Sequence, residues 1–319
     1  MHLIEAIFKD FDEFKQFAVG WDLDFKLLSK NNFNAYLNMY SNESFQLGRT
    51  SLGGTIHQNG LVPKGFRSIV LPASIGVNYN WLHKDVDSGQ LLVFPRNRIL
   101  ESVSYDNFDV YVLSISEKKL FELIDAYGFG HAEKIFTKAE KYLNLEASFL
   151  QSFWRDASML LDYAKNHKMD RSPASKELEK IMVDELLFKI LKYLNRTENI
   201  SRSRGLRKRD IALKRSINHI KDNKNRLLSV KELCKVAQVS ERTLEYAFLE
   251  KFQVNPSAYI KAIHLDSVKK ELIKLKGRKI RVSDVAIKYG FHHMGQFSVD
   301  FKKHFGISPS KIRLSLYFS

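Results

Sequence analysis

A chain of 319 residues has room for about two domains, and a hydrophobic content of 44% is ordinary for a globular protein, so disorder is not the default. The net charge of +15 is unevenly divided, with 24 Lys+Arg against 26 Asp+Glu in residues 1–200 and 27 against 10 in residues 201–319, which predicts a polyanionic partner (nucleic acid or an anionic membrane surface) for the last third, a merely solubilising surface being the alternative. The single cysteine, Cys234, excludes an internal disulfide framework, no apolar run approaches the ~20 residues that span a bilayer, and "MHLIEAIFKDFDEFKQF" lacks the basic start and apolar core of a secretion signal. The expectation is a cytoplasmic protein with no membrane partner.

From 33 to 115 the pattern is that of strands. "NAYLNMY", "SFQLGRTSL", "FRSIVLP", "QLLVFP" and "FDVYVLSIS" are short, rich in Val, Ile, Tyr and Phe, and separated by Gly, Asn, Asp and Pro. Such spacing predicts a small antiparallel sandwich or barrel. At Ser116 the period changes. "SEKKLFELIDAYG", "EASFLQSFWRDASMLLDYAKNH" and "SKELEKIMVDELLFKILKYLN" have helical spacing, so 116–195 is expected to be helical. Leu178, Ile181, Met182, Leu186, Leu187, Ile190, Leu191 and Leu194 give the last of these a broad apolar side, either packed on the sheet or paired with a second chain. "NRTENISRSRGLRKRD" is polar and basic, and 201–209 is the expected linker, its arginines solvated or touching phosphates.

The basic segment is duplicated. Val230, Glu232, Leu233 and Cys234 match Val282, Asp284, Val285 and Ala286 at an offset of 52; Leu244, Phe248, Phe252 and Pro256 match Phe297, Phe301, Phe305 and Pro309 at an offset of 53. Each copy reads as a short helix, a tight turn and a second helix. Ser229 and Glu232 have the spacing of a capping box, Ser240 is the expected N-cap of "ERTLEYAFLEKF", and Gly290 relieves the second turn. Phenylalanines at four-residue spacing point inward; Arg242, Tyr246 and Leu249 lie opposite in one copy, and Gly295, Val299 and Lys302 in the other. A helix held by its aromatic face, with a small, polar and basic outer face, has the form of a helix-turn-helix second helix that enters the major groove.

"VSERTL", "NPSAYI", "VSDVAIKYGF" and "GQFSVDFKKHFGISPS" make 210–319 resemble the DNA-binding domain of the AraC/XylS family of transcription regulators. "GFHHMGQF", with "GWDLDFKLLS" and a "VFP" strand, resembles the branch that includes ethanolamine-operon regulators. Departures are Gln238 where the family often has Gly, His264 where the connecting helix usually has Arg, and Tyr246 where an Arg often stands.

The resemblance implies an α+β two-domain protein. Residues 1–200 would form a cupin-like antiparallel β sandwich or barrel with flanking helices, serving effector binding or dimerisation, and 210–319 an all-α domain of two helix-turn-helix units. It implies a sequence-specific DNA-binding regulator, in the main an activator, with recognition helices in successive major grooves about 34 Å apart. Arg242, Thr243, Glu245 and Tyr246 in one unit and His292, His293, Gly295 and Gln296 in the other would meet bases, and Lys302 and Lys303 phosphates. Double-stranded promoter DNA, RNA polymerase, a second copy of the chain and a small-molecule effector are the implied partners. The effector pocket would draw on Phe33, Tyr36, Phe45, Phe66, Trp81 and Tyr111, with Phe25 and Tyr79 as further candidates, each of which is equally an ordinary core residue.

No cofactor motif, catalytic triad or paired-carboxylate arrangement stands out, so no enzyme is expected. His292, His293 and His304 lack a spacing that would converge on a metal. The remaining alternative is an architectural nucleic-acid-binding protein without ligand control.

Overall fold

A computed structural model of the chain describes residues 2–17, 22–29, 33–81, 84–94, 100–137, 141–170, 172–197, 200–201, 207–226, 228–275 and 280–315. The N-terminal strands are β1 (His2–Phe8), β2 (Asp22–Leu27), β3 (Asn34–Ser41), β4 (Phe45–Gly53), β5 (Ile56–Leu61), β6 (Phe66–Pro72), β7 (Tyr79–Trp81), β8 (Lys84–Val86), β9 (Gln90–Val93), β10 (Leu100–Ser104) and β11 (Phe108–Ser116), with helix α1 (Phe11–Gln16) after the first. Then follow α2 (Glu117–Tyr127), α3 (Gly130–Thr137), β12 (Lys141–Asn144), α4 (Ala147–Asn166), α5 (Pro173–Arg196) and β13 (Ile200–Ser201). The remaining elements are helices: α6 (Lys208–Asp222), α7 (Val230–Ala237), α8 (Glu241–Phe252), α9 (Pro256–Lys274), α10 (Val282–Lys288), α11 (Met294–Phe305) and α12 (Pro309–Ser315).

Two antiparallel sheets, in the orders β1-β3-β4-β11-β6-β9-β12-β13 and β2-β5-β10-β7-β8, form the strand layers. The α+β class expected from the sequence is the one observed, a β-sheet half followed by a helical half. In the larger sheet the register puts Leu47, Leu113 and Ile69 in one row across β4, β11 and β6. Strand alternation then carries Phe45, Tyr111, Ile115 and Leu71 to the same face. Leu120, Ile124, Phe153, Leu160, Leu186, Ile190 and Leu194 from α2, α4 and α5 join them in one buried cluster. Arg67 is also on this face, opposite Ile115, only 3% exposed and 3.1 Å from the Glu117 carboxylate at the start of α2.

The apolar side of α5 divides. Leu186, Leu187, Ile190, Leu191 and Leu194 are core, whereas Leu178 and Ile181 are 46% and 45% exposed. The dimer reading therefore cannot rest on the whole stripe; Leu187 packs inward within its own chain. The helical segment 116–195 also contains strand β12, which pairs with β9 and with β13. Ser201 belongs to β13 and α6 starts at Lys208, so both ends of the 201–209 segment are structured, while 202–206 lie outside the described residues.

The chain forms two compact units, Met1–Asp24 with Asn34–Gly53 and Asn59–Arg204, and Phe25–Phe33 with Gly54–Gln58 and Gly205–Ser319. The second is thus discontinuous in sequence. Within it, His57 Nδ1 lies 3.0 Å from the Tyr259 hydroxyl and its ring 5.1 Å from that of Phe252.

Candidate nucleic-acid interface

Two helix-turn-helix units, α7–α8 and α10–α11, flank the 19-residue helix α9. The Ser229 side chain accepts from the Glu232 N–H at 3.2 Å, but the reciprocal half of the expected capping box is absent, because the Glu232 carboxylate takes Arg226 at 2.5 Å and His219 at 2.8 Å. The guanidinium and imidazole hold that carboxyl down at about 2. Ser240 caps α8, accepting from the Thr243 N–H at 3.2 Å. Asn255 caps α9, and Pro256 occupies its first turn, where no backbone donor is needed.

The turn of the first unit is made by Gln238 at φ 58°, in the left-handed region, and that of the second by Gly290 at φ 83°. A side chain is strained there, whereas glycine is not. Gln238→Gly is expected to stabilise the chain by about 0.5–1 kcal/mol, partly offset by the lost contact of the Gln238 amide oxygen with Arg215 at 3.2 Å. A urea midpoint that does not rise would show that the Arg215 contact outweighs the strain.

The inner faces are as the spacing predicts. Leu244, Phe248 and Phe252 are fully buried, as are Phe297 and Phe301, and Phe305 is half-buried against Phe301 at 4.7 Å between rings. The outer faces carry the candidate DNA-contacting residues. On α8, Arg242, Glu245 and Tyr246 are exposed, and Thr243 is half-buried with its hydroxyl 2.9 Å from that of Ser240. The Arg242 guanidinium lies over the Tyr246 ring, 5.7 Å from its centroid, which fixes its direction. On α11 and the two residues before it, His292, His293, Gly295, Gln296, Lys302 and Lys303 are all exposed. A methyl added at Gly295 would meet nothing within 4 Å, so the helix backbone is bare there.

The two faces differ in charge. Glu241, Glu245 and Glu250 accompany Arg242 on α8, whereas Lys302 and Lys303 stand on α11, where Asp300 is paired with Lys261 at 2.9 Å. Glu250 also draws in Arg207 and Arg209, each at 3.1 Å, so these two basic residues dock on α8. Sequence spacing gives no sign of this contact; it joins residues that only the fold brings together.

Buried His264 ties α9 to the second unit. It is 0% exposed, its Nδ1 lies 3.2 Å from the Tyr289 carbonyl, and its Nε2 has no hydrogen-bond partner. Burial holds its pKa below the ordinary 6.5. Above that value neither state is protonated. As pH falls below it, the unfolded chain takes up a proton that the folded one resists, so stability falls through the lowered folded value. Urea unfolding at pH 7.5 and 5.5 is expected to show this loss, and His264→Asn to reduce it.

The effector candidates do not converge. Phe45 and Tyr111 belong to the helix-covered core, Tyr111 edge-on to Phe153 and its hydroxyl 3.1 Å from that of Ser158. Tyr36 donates to Glu5, Trp81 and Phe94 pack edge-on, Tyr79 packs on Phe108, and Phe66 is half-buried. Phe25 and Phe33 are buried and belong to the second unit. Two clefts are lined by other residues: one of about 470 Å³ beside Phe149, Phe188, Lys189 and Lys192, and one of about 570 Å³ in the second unit beside Ser29, Gln253, Lys261 and Lys303. His292 and His293 are exposed while His304 is buried, and among the described residues no group of three His, Cys, Asp or Glu side chains could hold a metal. Among them, too, no helix is long and apolar enough to cross a membrane.

A helix-turn-helix domain family model matches residues 233–315. The probable thc operon regulatory protein of Rhodococcus erythropolis is 26% identical over 96 residues, 30% of this chain and 29% of that one. The XylDLEGF operon transcriptional activator 2 of Pseudomonas putida is 30% identical over 114 residues, 36% of this chain and 72% of that one. The chain spans only about three tenths of the length of several such curated relatives. A solved transcriptional regulator of Chromobacterium violaceum, with an AraC-type DNA-binding domain, aligns over 33% of this chain and 91% of its own with 23% identity and a TM-score of 0.31.

Proposed function

Because the chain belongs to the AraC-type family of transcription regulators, we propose that it binds promoter DNA at defined sequences and activates transcription from there. A regulator of this kind is not an enzyme. The observation that carries the reading is the pair of outer faces at equivalent places on α8 and α11, each anchored by buried aromatics and each presenting polar or charged side chains to solvent. Arg242 can take guanine bidentately and Gln296 adenine, with Gly295 allowing close approach. Thr243, Glu245, Tyr246, His292 and His293 line the same approaches, and Lys302 and Lys303 seat phosphates.

The test is selection of sites from a randomised duplex pool by the full-length protein, followed by titration at several salt concentrations. Affinity should fall linearly in log–log terms as salt rises, through counterion release. Arg242→Ala should cost roughly 1–3 kcal/mol and relax one half of the selected site, and Lys303→Ala should weaken all sequences about equally. A protein that enriches no sequence would end the reading, and would leave the architectural alternative if it still binds duplexes generally.

Finer features follow from the same reading. The "GFHHMGQF" turn supports placement with ethanolamine-operon regulators. Exposed Leu178 and Ile181 on α5 support pairing of two chains through the first unit, with 201–209 as the joint to a DNA-binding domain at 210–319. Action on a promoter implies contact with RNA polymerase and a cytoplasmic location. A small-molecule effector would act by favouring one arrangement of the protein over another, to the extent of its differential affinity.

A further inference from the structure

The duplication places position 246 of α8 opposite position 299 of α11 at the offset of 53 that also aligns Leu244 with Phe297 and Phe248 with Phe301. Both positions hold an apolar side chain turned to solvent: Tyr246 is 55% exposed and Val299 is 61% exposed. Singly exposed apolar residues are ordinary on a protein surface. Two at equivalent places on the outer faces of duplicated helices, each one turn beyond the residue at 242 or 295, make a pattern of position rather than of composition.

We propose that Val299, and Tyr246 at the equivalent place in the first unit, read the 5-methyl group of thymine in the major groove, so that each half of the DNA site requires a thymine at one defined position. This rests on the DNA-binding reading above. Of the four bases only thymine presents an apolar group on the major-groove edge. A branched valine on a helix whose backbone is bare at Gly295 lies close enough to the base edges to cover that methyl, and contact removes both from water. The surroundings favour DNA over a protein partner. Val299 stands among exposed Gln296, Ser298, Lys302 and Lys303, an isolated apolar point within a polar and cationic face. That composition is poor for an apolar protein interface and complementary to a phosphate-flanked groove. In the first unit the Tyr246 ring also carries the Arg242 guanidinium, so a thymine methyl beside a guanine would meet the pair together.

The experiment uses the full-length protein and the duplex it selects, with each thymine replaced in turn by deoxyuridine, which lacks the methyl and keeps the pairing edge. At one thymine in each half-site the replacement should weaken binding about three- to fivefold, the worth of one buried methyl. Val299→Ala should bind the thymine duplex weaker by a similar factor and become indifferent to uracil in one half-site, keeping its sensitivity in the other. Tyr246→Ala should show the reverse. Lys303→Ala should weaken both duplexes equally and preserve the uracil penalty. The proposal is overturned if no deoxyuridine weakens binding, if the selected site has no thymine in either half, or if Val299→Ala and Tyr246→Ala retain every penalty. A protein that selects no sequence would instead remove the reading beneath it.

Discussion

Phe301→Ala is expected to destabilise the second helix-turn-helix unit by about 3–5 kcal/mol, the usual cost of emptying a fully buried aromatic site. Phe301 is 0% exposed and lies between Phe297 at 5.5 Å and Phe305 at 4.7 Å, in the cluster that includes Leu265, Val268, Val285 and Ile312. It ties α11 to α9, α10 and α12 together, so the cavity would loosen every neighbour of the recognition helix. The check is urea unfolding followed by tryptophan fluorescence and by far-UV circular dichroism. Trp81 and Trp154 lie in the first unit, which also holds helices α2–α5, so their signal should hold at urea concentrations where the part of the helical signal owed to α6–α12 is already lost. Phe248→Ala, the counterpart in the first copy, is equally buried and should cost as much. Coincident transitions at the wild-type midpoint for either variant would show that the stripe does not anchor its helix.

Glu117→Ala is expected to cost about 3 kcal/mol, because it strips a carboxylate from a guanidinium that is itself 3% exposed and cannot move to water. Glu117 stands in the first turn of α2, where a negative charge is also favoured by the helix dipole. Its own side chain is 27% exposed, which places the expected cost at the low end for a broken buried pair. Arg67→Met, which removes the buried charge while keeping much of the volume, should recover part of the loss in the double variant. Thermal unfolding of the two single variants and the double variant measures this directly. A double variant no more stable than Glu117→Ala would mean that Arg67 finds enough support elsewhere to be independent of the pair.

The elements legible in the sequence were those whose signal is local. β6 and β11 coincide with the quoted "FRSIVLP" and "FDVYVLSIS", since alternating β-branched and aromatic residues bounded by turn formers need no distant partner to be recognised. α2 is bounded by Ser116, which caps it, and by Gly128 at φ 65°. In the duplicated segment the four-residue aromatic spacing marked both the buried face and the exposed one. Less legible were β12, "KYLN", and β13, which are short and acquire their strand geometry from pairing. α1 is six residues held by the Asp10 cap, too short for periodicity to show. In the candidate site the exposed residues followed from helix phase. The Glu250 contacts with Arg207 and Arg209, the buried isolation of His264 and the diversion of Glu232 did not, because each depends on which helices pack together. The aromatic effector candidates show the same limit from the other side: residue type alone does not separate a pocket wall from a core.

The discontinuity of the second unit has a consequence for the order in which the chain is made. His57 and Tyr259 are 202 residues apart in sequence. At the ~5–20 residues per second of ribosomal synthesis, the segment that carries His57 exists for roughly 10–40 s before Tyr259 is added. During that interval His57 lacks the Tyr259 hydroxyl that it meets in the finished protein, and for most of it the Phe252 ring as well. A ribosome-stalled chain ending near residue 240 should therefore be cleaved by protease around 54–58 more readily than the finished protein. The last third, though it carries the DNA-contacting helices, is completed by strand segments synthesised long before it.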